Sequence, residues 1–267
     1  MQVTQVGTRG ILCSFDDPYF TNVYIILSSE RVFVLDTFLG SRPMDQIREL
    51  LNEKGFHDWP VVIFNSHADY DHCWGNNELA STMIIGLKNC RERILSEGKI
   101  ALEKYASHKR GDVILKAPNV TFTQKLIFPE DNVEFFFTPG HTLDSSSCYD
   151  AKDKVLFVGD NIESPFPYLN HPNFNQFIIS LEMYLKMNWK VIISGHDPIM
   201  HDSSLLQSNI GYLRRFRDWQ IDLSTMSKDE LHHHIEHNLL VIMDSFPNDK
   251  DREQATKHLE EAKTFMK

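Results

Sequence analysis

A dense cluster of metal-ligand residue types stands at positions 66–72 of the chain. The sequence there reads Ser-His-Ala-Asp-Tyr-Asp-His, so two histidines and two aspartates fall within six positions: His67, Asp69, Asp71 and His72. Imidazole nitrogens and carboxylate oxygens bind zinc and related divalent ions in proteins. A loop can turn four such side chains toward one point, whereas an isolated histidine or aspartate could not saturate a cation. The cluster therefore predicts a metal site.

Three later residues of the same types share one local pattern. His141 follows Pro139-Gly140, Asp160 follows Gly159, and His196 follows Gly195. In each case an apolar run ends, a glycine allows a sharp turn, and a ligand type appears. A single residue of this kind is usually a turn or a cap. Their joint occurrence with the dense cluster indicates a functional site.

Predicted β-strands position all of these ligands. Residues 60–65 form a short, nearly continuous apolar run, typical of a buried strand, directly before the dense cluster. Similar runs at 133–138, 155–158 and 190–194 precede the three later ligands. The candidate ligands are therefore expected on loops that leave strands.

The remaining pattern predicts a chain that is rich in strands, then interleaved with helices, then helical at its end. Further strands are predicted at 22–27, 31–36, 120–123, 125–128 and 146–149. Helices are predicted at 43–54, 76–80, 89–96, 174–187, 205–222, 227–243 and 248–266. Pro43 suits a first helical turn and Gly55 a helix end. Ser227 with Glu230 is a capping-box pair. This order predicts an α/β or α+β fold with sheets covered by helices.

The ordered set of motifs resembles the metallo-β-lactamase-fold superfamily. That family has His-x-His-x-Asp-His after a strand, then a His in Pro-Gly-His-Thr, an Asp in Gly-Asp, and a late His after Gly. The resemblance extends over about residues 22–201. It implies a four-layer αββα sandwich, in which two sheets face each other with helices outside, and a binuclear metal site at one edge of the sheets.

The resemblance also implies a role for each ligand. His67 and His141 match ligands of the first metal, and Asp160 matches the carboxylate that bridges both metals. The second metal matches Asp71, His72 and His196. Asp69 departs from the pattern, because the family usually has His at this position, although a carboxylate can still bind the first metal.

The departure at Asp69 bears on the metal. A third carboxylate beside Asp71 and Asp160 makes the site less positive, which favours harder metals. Iron and manganese therefore become alternatives to zinc, which stays the leading candidate for the two divalent ions. The flavo-diiron branch of the superfamily has Glu at this position.

The predicted function is that of a binuclear metal-dependent hydrolase. A metal-bridging hydroxide would attack a small ester, lactone, thioester or phosphodiester, and Asp71 would orient this nucleophile. One alternative is a non-hydrolytic di-iron protein that handles oxygen or nitric oxide. Another is a metal-binding sensor without turnover.

Composition limits the partners and the location. The chain has 267 residues with 27 basic and 37 acidic side chains, a net charge of −10, so it lacks the basic footprint of a nucleic-acid binder. No apolar run approaches the roughly 20 residues of a membrane helix, and no signal peptide is evident. The four cysteines form no Cys-x-x-Cys pair, which favours reduced thiols. We therefore expect a cytoplasmic protein with a small-molecule substrate and neither nucleic acid nor membrane as a partner.

Two domains are predicted. Residues 1–222 form the αββα domain and residues 223–267 a C-terminal helical extension packed on it, which either covers the active-site mouth or mediates a homodimer. The histidines at 232, 233, 234 and 237 are expected to form a solvated or packing face of a helix. Asp36, at the end of a predicted strand, either supports the metal site or caps the strand.

Overall fold

The structure, a computed structural model, describes residues 1–265. The chain forms two compact units. The first comprises Met1–Thr138, Asp144–Gly159 and Asn188–His201, and the second comprises Pro139–Leu143, Asp160–Met187 and the chain from Asp202 onward. The boundary at residue 222 between a domain and an extension stays a prediction.

A seven-stranded sheet belongs to the first unit, and its strands follow one another in chain order. They are β1 (Gln2–Val6), β2 (Gly10–Phe15), β3 (Thr21–Leu27), β4 (Val32–Leu35), β5 (Val61–Asn65), β6 (Ser81–Leu87) and β7 (Val120–Phe122). Pairing is antiparallel from β1 to β4 and parallel from β4 to β7. The carboxyl ends of β4 and β5 therefore lie at the same edge of the sheet.

A five-stranded sheet also belongs to the first unit, in the order β12-β11-β10-β9-β8. Its strands are β8 (Lys125–Phe128), β9 (Val133–Phe137), β10 (Ser146–Asp150), β11 (Val155–Phe157) and β12 (Val191–Ile193). Only β11 and β12 pair in parallel. The segments that carry Asp160 and His196 thus leave two neighbouring strands at their carboxyl ends.

The two sheets pack face to face through aromatic side chains. The ring of Phe135 on β9 stacks on Phe64 of β5 with centroids 4.4 Å apart, and Phe128 on β8 meets Phe33 of β4 at 5.3 Å. Phe33, Phe64 and Phe135 are fully buried in one continuous core. This burial of apolar surface between the sheets supplies the main stabilisation of the first unit.

Three α-helices belong to the first unit: α1 (Ser41–Glu53), α2 (Tyr70–Cys73) and α3 (Lys88–Lys104). The buried residues of α1 include Met44, Ile47 and Leu51, spaced three or four apart so that they form one apolar face that joins the core. The helix ends before Gly55, whose φ of 84° lies in the left-handed region, as its pattern predicts.

The second unit is helical. Its helices are α4 (Phe174–Lys186), α5 (Ser204–Arg217), α6 (Lys228–His232), a π-helix (His233–Leu239), α7 (Leu240–Ile242) and α8 (Asp249–Phe265). Both hydrogen bonds of the predicted capping box at Ser227 and Glu230 are present. Across the described residues, no helix combines the length and apolar character that crossing a bilayer requires.

The prediction of a mixed α/β fold with two sheets and C-terminal helices is confirmed, but particular elements differ. The helix predicted at 76–80 is wrong, because these residues form turns and an irregular segment. The buried side chain of Asn76 exchanges hydrogen bonds with that of Asn65 (2.8 and 2.9 Å), which holds the chain in a turn. Strands β1, β2 and β6 have no counterpart among the predicted strands. Met266 of the predicted last helix lies outside the described residues.

Candidate metal centre

Three candidate ligands of the first unit form one compact group. Asp71, His72 and His196 each offer one ligand atom, and these atoms lie within 4.8 Å of one another. Nε2 of His196 is 3.5 Å from Oδ2 of Asp71, and Nε2 of His72 is 3.8 Å from Oδ1 of Asp71. The short helix α2, joined to β5 by residues 66–69, carries Asp71 and His72, so adjacent residues present their side chains to the same point.

Asp36, at the end of β4, fixes the orientation of His72. Its Oδ2 accepts hydrogen bonds from Nδ1 of His72 and from Oγ of Ser66, both at 2.7 Å, and its Oδ1 accepts from the backbone N–H of Ser66 at 2.8 Å. Asp36 is fully buried. With Nδ1 committed to Asp36, Nε2 of His72 carries the lone pair and faces Asp71.

His67 and Asp69 form a second pair in the same unit. Nε2 of His67 lies 3.4 Å from Oδ2 of Asp69, and the His67 and His72 ring centroids are 4.2 Å apart. Oγ of Ser66 lies 2.9 Å from Nδ1 of His67. Because the Ser66 hydroxyl gives its single proton to Asp36, it accepts from Nδ1 of His67, and the lone pair of His67 is on Nε2.

Arg93 of α3 contacts the carboxylate of Asp69. Its Nη2 donates to Oδ1 of Asp69, and its Nη1 donates to Oδ1 of Asp144 at 2.7 Å. Burial acts to lower the pKa of Arg93, but the charges of Asp69 and Asp144 outweigh it and raise that pKa overall. The guanidinium is therefore held charged beside the residue that departs from the histidine pattern.

His141 and Asp160 lie together in the second unit. Nε2 of His141 is 4.0 Å from Oδ2 of Asp160, and both side chains are buried. Nδ1 of His141 donates to the carbonyl oxygen of Tyr168 at 3.1 Å, and its backbone N–H donates to Oδ1 of Asn161 at 3.0 Å. A Cβ at Gly140 would lie 2.3 Å from that Asn161 oxygen, so close approach requires glycine there.

Gly159 has the sharp turn that its pattern predicts. Its φ is 54°, and a Cβ at this position would lie 2.7 Å from Oγ of Ser66. Its carbonyl oxygen accepts a 2.8 Å hydrogen bond from the N–H of Gly195. The ends of β5, β11 and β12 are therefore brought close together within the first unit.

The arrangement within the first unit fits a divalent ion. Ligand atoms bound to tetrahedral zinc at about 2.0–2.2 Å lie about 3.3–3.6 Å from one another. The separations of 3.4 Å in the His67–Asp69 pair and 3.5 Å between Asp71 and His196 match this edge length. Nδ1 of His196 donates to the carbonyl oxygen of Phe20 at 2.8 Å, so its Nε2 also carries the lone pair.

Residues 16–219 match the family model of the metallo-beta-lactamase superfamily, which covers most of the chain. The chain belongs to this superfamily. The resemblance seen in the motifs is thereby confirmed, and membership implies divalent metal binding.

Solved structures of the superfamily share the fold. The metallo-beta-lactamase from Pontibacter korlensis is 18% identical, with a TM-score of 0.61, over 80% of this chain and 98% of that chain. The DIM-1 metallo-beta-lactamase is 17% identical, with a TM-score of 0.64, over 80% and 97%. At these identities the similarity shows the fold alone.

One curated relative is similar over a shorter stretch. The hydroxyacylglutathione hydrolase of Maricaulis maris (strain MCS10) is 23% identical over 114 residues, which is 42% of this chain and 38% of that protein. The match thus spans less than half of either protein.

Two features beside the superfamily ligands carried no signal in the sequence. The hydroxyl of Tyr19 donates to Oδ2 of Asp71 at 2.9 Å and lies 2.9 Å from the hydroxyl of Tyr70, which is 2.7 Å from Nδ1 of His108. Burial, followed by the charge of Asp71, raises the pKa of Tyr19, so this hydroxyl stays protonated. In the second unit, buried Glu163 accepts from the N–H of Tyr168 at 3.1 Å.

The four cysteines are free, buried thiols. Burial raises the pKa of Cys13 to about 12 and that of Cys73, next to His72, well above its usual value. These thiols therefore stay protonated at neutral pH and are not activated nucleophiles.

Proposed function

We propose that this superfamily member is a metal-dependent hydrolase of a small ester, lactone, thioester or phosphodiester. One observation carries the proposal. Nδ1 of each candidate histidine ligand lies beside an oxygen acceptor, which makes Nε2 the ring nitrogen that would face a metal ion. The four histidines and their acceptors are His67 with Ser66, His72 with Asp36, His141 with Tyr168, and His196 with Phe20. Metal-binding histidines usually donate a hydrogen bond from the ring nitrogen that does not bind the metal, and this bond fixes the orientation of the ring.

The proposed ligand set is the one assigned from the motifs. His67, Asp69 and His141 would bind one ion, Asp71, His72 and His196 the other, and Asp160 both. When bound, the ions would supply water made acidic enough to attack at neutral pH and would polarise the oxygen of the substrate.

The chain's own residues would position the reacting groups. Asp71 would bind through one carboxylate oxygen and orient the attacking water. The hydroxyl of Tyr19, which donates to Asp71 at 2.9 Å, would hold that carboxylate in one rotamer. Such fixed orientation lowers the entropic part of the barrier.

The di-iron alternative rests on the extra carboxylate of Asp69. The contact of that carboxylate with Arg93 partly offsets its charge, which weakens the electrostatic argument for iron. The relative named as a hydrolase also favours hydrolysis over redox chemistry. Cytoplasmic location, a small-molecule substrate and a homodimer stay predictions.

The test is a substrate screen on the purified full chain, stripped of metal and reloaded separately with zinc, manganese and iron. Aryl esters, lactones, thioesters and a phosphodiester would be assayed with wild type, His72→Ala and His57→Ala. His57 is an exposed histidine in a loop, so its variant is the matched control.

We expect metal-dependent turnover of at least one substrate class by wild type and His57→Ala but not by His72→Ala. Absence of hydrolysis with every metal, together with a coloured iron form that reacts with oxygen or nitric oxide, would favour the alternative and overturn the hydrolase.

A further inference from the structure

The two carboxylate oxygens of Asp69 have different surroundings. Oδ2 lies 3.4 Å from Nε2 of His67, a separation expected of two ligand atoms on one tetrahedral zinc ion. Oδ1 accepts a hydrogen bond from Nη2 of Arg93. One oxygen therefore faces the candidate ligand and the other faces a cation.

Arg93 is itself fixed by a second carboxylate. Its Nη1 donates to Oδ1 of buried Asp144 at 2.7 Å, and Oδ2 of Asp144 accepts from the backbone N–H of Ala68 at 2.9 Å. Asp144 thus ties both the guanidinium and the loop that carries Asp69. The planar guanidinium can bind two acceptors in fixed directions, which the ammonium of lysine cannot do.

We propose that Arg93 is a positioning residue that makes Asp69 a single-oxygen ligand of the first metal ion. By occupying Oδ1, Arg93 prevents both oxygens of Asp69 from binding the ion. Its positive charge also partly offsets the negative charge that the site gains by having aspartate in place of histidine. Both effects keep the number of ligand atoms and the negative charge at the first site low, which suits zinc, although Asp69 contributes an oxygen. This inference rests on the proposed metal binding and adds a determinant of metal choice.

The substitution Arg93→Met removes the guanidinium, with its N–H donors to Asp69 and Asp144 and its positive charge, but keeps an unbranched apolar side chain. Asp69 is then able to bind through both oxygens, which favours manganese because that ion suits oxygen-rich sites. We expect zinc affinity to fall by about 10- to 100-fold, the usual effect of losing a partner behind a ligand, and manganese affinity to fall less. Arg93→Lys retains the positive charge but lacks the planar guanidinium, so we expect an intermediate loss of zinc affinity.

The measurements are competitive zinc and manganese titrations and the visible spectrum of the protein loaded with two equivalents of Co²⁺. Four-coordinate Co²⁺ absorbs much more strongly than higher-coordinate Co²⁺, so Arg93→Met should weaken the absorption. A loss of stability alone would not change this spectrum. The matched control is Arg91→Met, since Arg91 is a half-buried arginine of the same helix that donates to the carbonyl oxygen of Pro118.

Asp144→Asn provides a second route if Arg93→Met does not fold, because it weakens the anchor of Arg93 without altering Arg93 or Asp69. If the Arg93 and Asp144 variants show the same zinc preference and Co²⁺ absorption as Arg91→Met, the role of Arg93 is overturned, while the proposed metal binding still holds. A wild-type chain that binds no divalent ion would instead overturn the proposed function, and this inference with it.

Discussion

Asp36 accepts a 2.7 Å hydrogen bond from Nδ1 of His72, although the two residues lie 36 positions apart in the chain. The same oxygen accepts from Oγ of Ser66, which in turn accepts from Nδ1 of His67. One buried carboxylate thus sets the orientation of two candidate ligands, one assigned to each ion. The parallel pairing of β4 with β5 brings it there.

Asp36→Asn should weaken metal binding more than it weakens the fold. The amide keeps the size of the side chain but loses the charge that holds both imidazoles, so we expect divalent-ion affinity to fall by about 10- to 100-fold. Titration with a chromophoric chelator measures this. Asp131→Asn is the matched control, because Asp131 is equally buried but pairs with Arg31 at 3.0 Å. Equal losses of affinity in the two variants would contradict a specific role for Asp36.

The purified chain should hold two divalent ions, and His196→Ala should lower the occupancy of the second. The variant removes one of three ligand atoms that lie within 4.8 Å of one another, while its position on a loop limits the effect on packing. Elemental analysis after mild purification checks both statements. Full occupancy in His196→Ala would show that His196 is not a ligand.

Tyr19→Phe should reduce turnover without lowering metal content. The substitution removes the hydroxyl that donates to Asp71 at 2.9 Å, and a hydrogen bond to a charged group is worth about 1.5–3 kcal/mol. We therefore expect kcat to fall by about 10- to 100-fold on a substrate found by the screen. Tyr149→Phe removes a hydroxyl that donates only to a backbone carbonyl, that of Asn188, and should leave kcat unchanged. Unchanged kcat in Tyr19→Phe would rule out the positioning role.

Acid should destabilise the fold through the buried histidines of the second unit. Nδ1 of His234 is 2.8 Å from the hydroxyl of Tyr212, and its Nε2 is 2.9 Å from Nε2 of His258. Burial lowers the pKa of His234 to about 3 and that of His233 to about 4. Unfolded histidines titrate near about 6.5, so below that pH the unfolded chain binds more protons, and the free energy of unfolding falls until the pH nears 4.

Urea unfolding at pH 7.5 and pH 5.0 measures this loss. His234→Asn should be less stable than wild type at pH 7.5 but should lose less stability on going to pH 5.0. His57→Asn, at an exposed position, should behave as wild type does. If the free energy of unfolding of His234→Asn depends on pH as that of wild type does, His234 is not a source of the acid destabilisation.

The cluster of His67, Asp69, Asp71 and His72 after an apolar run predicted a metal site. Its order with the later segments of His141, Asp160 and His196 predicted the family. Apolar runs and capping residues also located most strands and helices, because burial and helix ends depend on local residue types. Strand β2 was not predicted because Gly10 and Ser14 leave only Ile11, Leu12 and Cys13 as a continuous apolar run, which is too short to indicate a strand.

Tertiary structure alone decided the surroundings of the ligands. Nothing local to Asp69 indicates that Arg93, 24 positions later on α3, holds one of its oxygens. Nothing local to Asn76 indicates that its side chain bonds with Asn65 and makes a turn where a helix was predicted. The sequence determined which groups are available to bind a metal, because ligand chemistry belongs to residue types. Their orientation and charge balance depend on distant partners, which come within hydrogen-bonding distance only when the sheets and helices pack.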